Sequence, residues 1–223
     1  MTTARLLDLL ILAGLLFILT RMLPATYRMA QLYFGVRRRR LQDGSAIAPP
    51  APAAVAAVSE QLGRLGFRGI GQRTLVLPDG RRAFEWDLVD AATTTYAAVV
   101  PNHVVPGGAL VICYSAFGDG AFVSTAYPIG ATVRRPDLLT TAVETSLGDA
   151  VASHAAAIAA FAHQHGLPLP NRSMADLLDR DAAYRSRHGG ATFRGRTYRF
   201  AVLTGVLLVA AAAALIRLVV LDS

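Results

Sequence analysis

Cysteine occurs once in this 223-residue chain, as Cys113, which excludes an intrachain disulfide and fits a reducing compartment. Lysine does not occur: the basic side chains other than histidine are all arginines. Beside the heavy alanine and glycine content, that absence reads as a bias of composition and carries no functional inference. Charge is also scarce, with 17% charged residues against about 25% in an ordinary soluble protein. No internal repeat of useful period is present, which excludes a solenoid or propeller.

Hydrophobic residues make up 53% of the chain and concentrate in two runs, 6–23 and 200–221. The first run, at 1.5 Å per helical residue, spans about 27 Å, just enough for a hydrocarbon core of about 30 Å. It admits Asp8 and Arg21 near its ends, where charges reach the headgroups. Pro24 then permits a kink, and Tyr27, Tyr33 and Phe34 among polar neighbours suit an interfacial anchor. A cleaved signal peptide is the competing reading of this run. Against it stand Arg5 and Asp8, which cancel before the core, the lack of an Ala-x-Ala site after it, and the positive cluster that follows. The second run is uncharged over 200–216, and Arg217 can snorkel outward. Ala201/Gly205 and Ala210/Ala214, spaced by four, put small residues on shared faces, where helix backbones approach closely in lipid.

The net charge of +7 and pI near 10.3 suggest nucleic acid until the charge is partitioned. Residues 51–182 hold nine arginines and twelve acids, a balance of −3, while the flanks hold thirteen arginines and three acids, a balance of +10. The basic character belongs beside the apolar runs, so nucleic acid is not an expected partner. Arg21, Arg28, Arg37, Arg38, Arg39 and Arg40 follow the first span, and Arg185, Arg187, Arg194, Arg196 and Arg199 precede the second. Both helices therefore favour the same topology in the inner (cytoplasmic) membrane, with the middle of the chain cytoplasmic and both termini outside. Arg37, Arg38, Arg39, Arg40, Arg194, Arg196 and Arg199 are the candidate contacts to anionic headgroups, worth about 1 kcal/mol per basic residue near the surface.

Between the runs the pattern changes. Gly44, Pro49, Pro50 and Pro52 mark a linker over 42–52. Val55, Val58, Leu62 and Leu65 recur at helical spacing, and Gly66 ends that helix. Strands are expected at 71–77 and 82–89 around Asp79-Gly80, at 93–100, and at 109–117 and 121–127 around Gly118-Asp119-Gly120. In 82–89, Phe84, Trp86 and Leu88 alternate with Glu85 and Asp87, which predicts one buried and one wet face. After Pro136, Asp137 predicts the cap of a helical region to His165 that Gly148 can break, with Val151, Ala155, Ile158 and Ala162 on one stripe. Ser173 with Asp176 starts a further short helix that ends before Gly189-Gly190. The expected fold class is α+β: N-terminal and C-terminal transmembrane helices flank a central domain with an antiparallel sheet of about five strands and packed helices. The segments are 1–41, a linker at 42–52, the domain at 53–188, and a hinge with the second span at 189–223.

Chemistry-bearing residues are present without a pattern that needs chemistry. His163 and His165, two apart on a helix, point about 200° away from each other, and His154 lies off the face of both, so solvated histidines are the better reading than a metal site. Cys113 sits mid-strand with no helix start to activate it, which makes pairing with His103 a weaker reading than packing. Ser115 lacks a Gly-x-Ser-x-Gly elbow. Glu85, Asp87 and Asp90 read as a solvated charged face rather than paired carboxylates. Gly69-Ile70-Gly71 lacks the third glycine of a dinucleotide loop, and Gly118-Asp119-Gly120 lacks the further acids of a calcium loop. No catalytic residue, cofactor or metal is assigned.

The function expected is that of a two-pass membrane protein presenting a cytosolic interaction or scaffold domain, for example as an accessory subunit of a membrane complex. Its expected partners are the anionic bilayer and a protein or second copy met through helix 200–221. The alternative is a tethered small-molecule-binding domain or enzyme, with Phe84, Trp86 and Tyr96 lining the pocket. The arginine cluster is directly testable. A peptide covering 26–41 should bind anionic vesicles tightly at 0.01 M salt and lose affinity at 0.15 M, as the Debye length falls from about 30 Å to about 8 Å. Equal binding to neutral vesicles would assign the affinity to Tyr27, Tyr33 and Phe34 and strike out the lipid contacts.

Overall fold

The computed structural model describes residues 3–36, 41–76, 82–102, 108–189 and 191–220, with backbone alone for 3–8, 28–36, 191–197, 200 and 218–220. It divides into two compact units, Met1–Arg38 with Gly189–Ser223, and Arg39–His188.

The first unit is a pair of helices, α1 (Thr3–Val36) and α5 (Ala191–Val220). On α1 the less exposed positions are Leu12, Leu15, Leu19, Met22 and Thr26, a three-four spacing that draws one narrow seam. On α5 the seam runs through Thr204, Leu207, Ala211 and Ala214. Thr26 meets Thr204 in a 2.8 Å hydroxyl hydrogen bond. From that contact the seam recedes to Leu19 on α1 and advances to Ala211 on α5, so the helices run antiparallel. Of the small residues expected at a helix contact, Gly205, Ala210 and Ala214 are half-buried and Ala201 is exposed. Among the described residues one helix is long and apolar enough to cross a membrane, over Leu9–Tyr27 at a mean hydropathy of 2.0. Among the described residues the apolar part of α5, Ala201–Arg217, is shorter.

The second unit is α+β, with a mixed sheet of eight strands in the order β1-β2-β3-β4-β5-β6-β8-β7. The strands are β1 (Gln42–Asp43), β2 (Arg68–Val76), β3 (Arg82–Val89), β4 (Tyr96–Pro101), β5 (Ala109–Ala116), β6 (Phe122–Tyr127), β7 (Val133–Arg135) and β8 (Leu138–Ala142). Its helices are α2 (Ala53–Arg64), α3 (Leu147–His165) and α4 (Met174–His188). The expected antiparallel meander is there as β2 to β6, but the sheet is larger and not purely antiparallel, since β8 joins β6 in parallel. Residues 42 and 43, expected in a linker, pair with Thr74 and Arg73 on β2.

The expected helix from Asp137 is corrected by the sheet. Leu138-Leu139-Thr140-Thr141-Ala142 has a strand's β-branched content, and its hydroxyls pair with β6: Ser124 with Thr140 at 3.1 Å and Thr125 with Thr141 at 3.0 Å. The helix starts later, where the Ser146 side chain accepts from the Asp149 amide at 3.0 Å. Gly148 therefore lies in its first turn and breaks nothing. The expected start at Ser173 holds as a reciprocal capping box: the Ser173 hydroxyl accepts from the Asp176 amide, and the Asp176 carboxylate accepts from the Ser173 amide.

The sheet is covered on both faces. Val55 and Leu62 of α2 and Leu147 of α3 pack with Trp86, Leu88, Ala97, Val99, Val111 and Cys113. On the opposite face Tyr184 of α4 packs on Tyr114 and Phe122. The wet face expected of β3 is thus corrected. Glu85 and Asp87 point under α4, and Asp87 is buried. They meet Arg73, the largest of the fully buried side chains. Its Nε and Nη2 donate to the two carboxylate oxygens of Asp87, each at 2.8 Å, with Glu85 at 3.0 Å and Asp181 of α4 at 3.2 Å. Asp181 also accepts from Arg185 Nε at 2.5 Å. Burial works against the charge of Arg73, but Asp87, Glu85, Tyr96 and Asp181 outweigh it and hold the guanidinium protonated. Position 71 makes room at the edge of this layer. Gly71 follows a β-bulge at φ +145°, and a Cβ there would meet Ser45 Oγ at 2.5 Å and the Met174 methyl at 2.8 Å.

Arg73→Ala should leave Asp87 buried without its partner and destabilise this unit by about 3–5 kcal/mol. Urea unfolding followed through Trp86, the single tryptophan, measures it. A loss under about 1 kcal/mol, the range of a surface ion pair, would mean that the cluster does not hold α4 to the sheet.

Candidate functional site

The apolar stripe of α3 runs through Leu147, Ala150, His154, Ile158 and Phe161, so the helix aims a histidine at the sheet. His154 is fully buried, which corrects its reading as a solvated helix residue. Its ring lies between hydroxyls of two neighbouring strands: Ser115 on β5 at 3.1 Å from Nε2, and Thr125 on β6 at 3.1 Å from Nδ1. The tautomer follows from the proton inventory. Ser115 Oγ donates its one proton to the Thr94 carbonyl at 2.9 Å, so it accepts from His154 Nε2–H. Nδ1 then accepts from Thr125, which accepts in turn from Thr141. Burial pushes the imidazole down to about 3, and it is neutral at any ordinary pH.

Beside His154 lies a cavity of about 320 Å³, lined by Leu65, Phe67, Asp90, Thr95, Cys113 and Val151 among others. Its polar walls are already engaged. The Asp90 carboxylate accepts from the Thr94 amide at 2.8 Å and the Thr95 amide at 3.0 Å, closing the β3–β4 turn, in which Thr93 takes φ +59°. Thr95 Oγ1 lies 3.3 Å from Ser115 Oγ. Burial pushes the Cys113 thiol up to about 12, so no thiolate forms there at neutral pH. Ser115 is fully buried with its proton held by a carbonyl, and His154 has no free nitrogen with which to take it. The arrangement suits shape and apolar contact, and Cys113, Ser115 and His154 supply neither nucleophile nor base to it.

The other residues singled out in the sequence do not converge on this cavity. Phe84 and Trp86 lie together on the α2 face, ring centroids 6.5 Å apart, whereas Tyr96 stacks on Tyr114 on the opposite face at 4.9 Å. Asp87 lies with Arg73, where burial lifts its carboxyl to about 7 against the pull of Arg73. His163 is exposed. His165 faces two acceptors, Asp119 Oδ2 at 2.6 Å and the Pro136 carbonyl at 2.9 Å, and its hydrogen bond holds Asp119 below the usual carboxylate range. Gly118-Asp119-Gly120 is the tight turn between β5 and β6, and Gly69-Ile70-Gly71 is the β2 bulge. Among the described residues no three His, Cys, Asp or Glu side chains group as a metal site. His103 and Arg37, Arg38, Arg39 and Arg40 fall outside the described residues; Arg194, Arg196 and Arg199 lie in the first turns of α5, with Arg199 exposed.

The sequence reading missed Arg73, Asp181 and the hydroxyl cradle of His154. A signal for His154 existed, because it continues the apolar spacing from Ala150 to Ile158. Nothing local marks Arg73, which stands between Gln72 and Thr74 as any exposed strand arginine would. No family model, curated protein or solved structure matches this chain.

The neutral histidine has a pH signature. Its folded value of about 3 lies below its ordinary 6.5, so its stabilisation is complete above 6.5 and is lost as pH falls toward 3. Asp87, raised when folded, acts in the opposite direction between 3.8 and about 7. The comparison with His154→Gln separates the two. From pH 6 to pH 4 wild type should lose about 1.4 kcal/mol per pH unit more than the variant. Parallel stability–pH curves would show that His154 is not held neutral.

Proposed function

We propose that the chain is a membrane-anchored protein, its α1/α5 pair lying in the bilayer and its α+β unit on the cytoplasmic side as an interaction or scaffold module. What supports the membrane reading is the outside of the helix pair. Large apolar side chains stay exposed around it, with Leu10 and Phe17 62% and Val209 71% exposed, while the seam sets Leu12, Leu15, Leu19 and Met22 of α1 against Thr204, Leu207, Ala211 and Ala214 of α5. Water would drive such a surface to bury itself, whereas lipid solvates it and leaves packing along the seam and the Thr26–Thr204 hydrogen bond to hold the helices. In this reading α5 is the second span, its short apolar stretch completed by Arg199 and Arg217 reaching for the headgroups. Antiparallel helices put both termini at one end of the pair, in keeping with the topology drawn from the arginines.

The non-enzymatic reading is supported by the hydrogen-bond state of His154 and Ser115, the nearest approach to a catalytic pair among the described residues. A second reading has its own observation: the 320 Å³ cavity beside His154 is of small-molecule size and mainly apolar. One experiment addresses all of this. Membranes are pelleted and extracted in mild detergent, and the full chain is purified. Recovery from the pellet with a stoichiometric protein partner is expected. A monomer carrying a small molecule would favour the second reading, and a chain left in the aqueous supernatant would overturn the anchor.

A further inference from the structure

We propose that a second cavity, between α4 and the β5–β6 turn, is a binding site for a small organic anion: a carboxylate carried on an aromatic or branched apolar body. The cavity measures about 280 Å³. Phe117, Phe122, Leu169 and Tyr184 supply apolar and aromatic wall, and Arg180 and Arg187 supply charge, with no acidic residue in the lining. That is a local excess of positive charge in a stretch, 51–188, whose own balance is −1, with eleven arginines against twelve acids.

The two arginines differ in what they have left to give. Arg187 is held in place: its Nη1 donates to the Asp119 carbonyl at 2.8 Å, and its Nε lies 3.4 Å from Asp137 Oδ2. Arg180 is uncommitted. Its Nε is buried without an acceptor, and among the described residues no carboxylate lies within ion-pair distance of it. Asp176, one turn earlier on α4, attracts it only from a distance and is itself capping the helix through the Arg172 and Ser173 amides. Arg180 as a whole is half-buried, and a guanidinium with a buried, unpartnered Nε and no counterion offers a carboxylate the planar fork that matches it. The floor is open to close approach, because Gly118 has nothing within 4 Å of where a Cβ would stand. The volume, near the lower end for ligand pockets, limits the body to about one ring or a branched chain.

The site does not depend on the helix pair lying in a bilayer, and it is separate from the cavity beside His154. Calorimetric titration of the full chain in detergent, with the detergent-only heat subtracted, tests it using phenylacetate and the neutral phenylacetamide. Phenylacetate should bind at least tenfold more tightly than the amide. Arg180→Gln should weaken phenylacetate at least tenfold, and Ala183→Leu, which fills the cavity, should remove binding, both with Trp86 emission unchanged. Equal binding of acid and amide to wild type would overturn the proposal, whatever the variants do. So would undiminished binding to Arg180→Gln, or inorganic phosphate competing as well as phenylacetate, since the apolar walls would then contribute nothing.

Discussion

The α+β unit depends on a single buried cation. Arg73 stands on β2, yet its guanidinium gathers Glu85 and Asp87 from β3 and Asp181 from α4, and so fixes which face of the sheet α4 covers. An apolar contact of the same area would be satisfied by many orientations of α4. A planar fork with two 2.8 Å bonds to one carboxylate has few acceptable positions for the next. Once α4 is seated there, Tyr184 reaches Tyr114 and Phe122, and Arg187 and His188 reach the Asp119 and Gly120 carbonyls of the β5–β6 turn. The cavity lined by Arg180 and Arg187 exists because of that seating.

The opposite face is organised by the same logic with neutral groups. His154 replaces what would be a leucine on an ordinary apolar stripe, and the strands answer with Ser115 and Thr125. The result is a polar line across a hydrophobic layer, with every proton placed. Such a line is costly if any member is missing, which ties α3 to the register of β5 and β6. It also removes the reactivity that a serine beside a histidine would otherwise suggest. Two cavities on the two faces therefore have different characters. The one beside His154 is apolar with its polar groups engaged, and the one under α4 carries an unengaged cation.

Much of the architecture was legible because it is periodic. The meander of β2 to β6 and α2 follow from alternation and helical spacing, and α4 from a capping pair. The helix over Leu9–Tyr27 follows from length and apolarity alone. Less was legible where an element answers to a distant one. Residues 138–142 pass for a helix start behind Pro136 and Asp137 until β6 offers a parallel edge with matching hydroxyls. The charged side of β3 looks wet because Asp181, its cover, lies almost a hundred residues further along the chain.

The sequence by itself determined the composition of each surface: an apolar exterior for two terminal helices, arginine beside them, an acidic middle, and one thiol placed inside a strand. These are properties of residues one after another, and physical chemistry reads them without knowing the fold. Tertiary structure decided the meaning of the exceptions. Whether Arg73 is a solvated strand residue or the centre of an ion cluster depends on what α4 brings to it. Whether His154 is a base or a packed side chain depends on which hydroxyl already holds a proton. Both are settled by partners supplied from other elements, and in a low-dielectric interior the partner, not the residue type, sets the charge state.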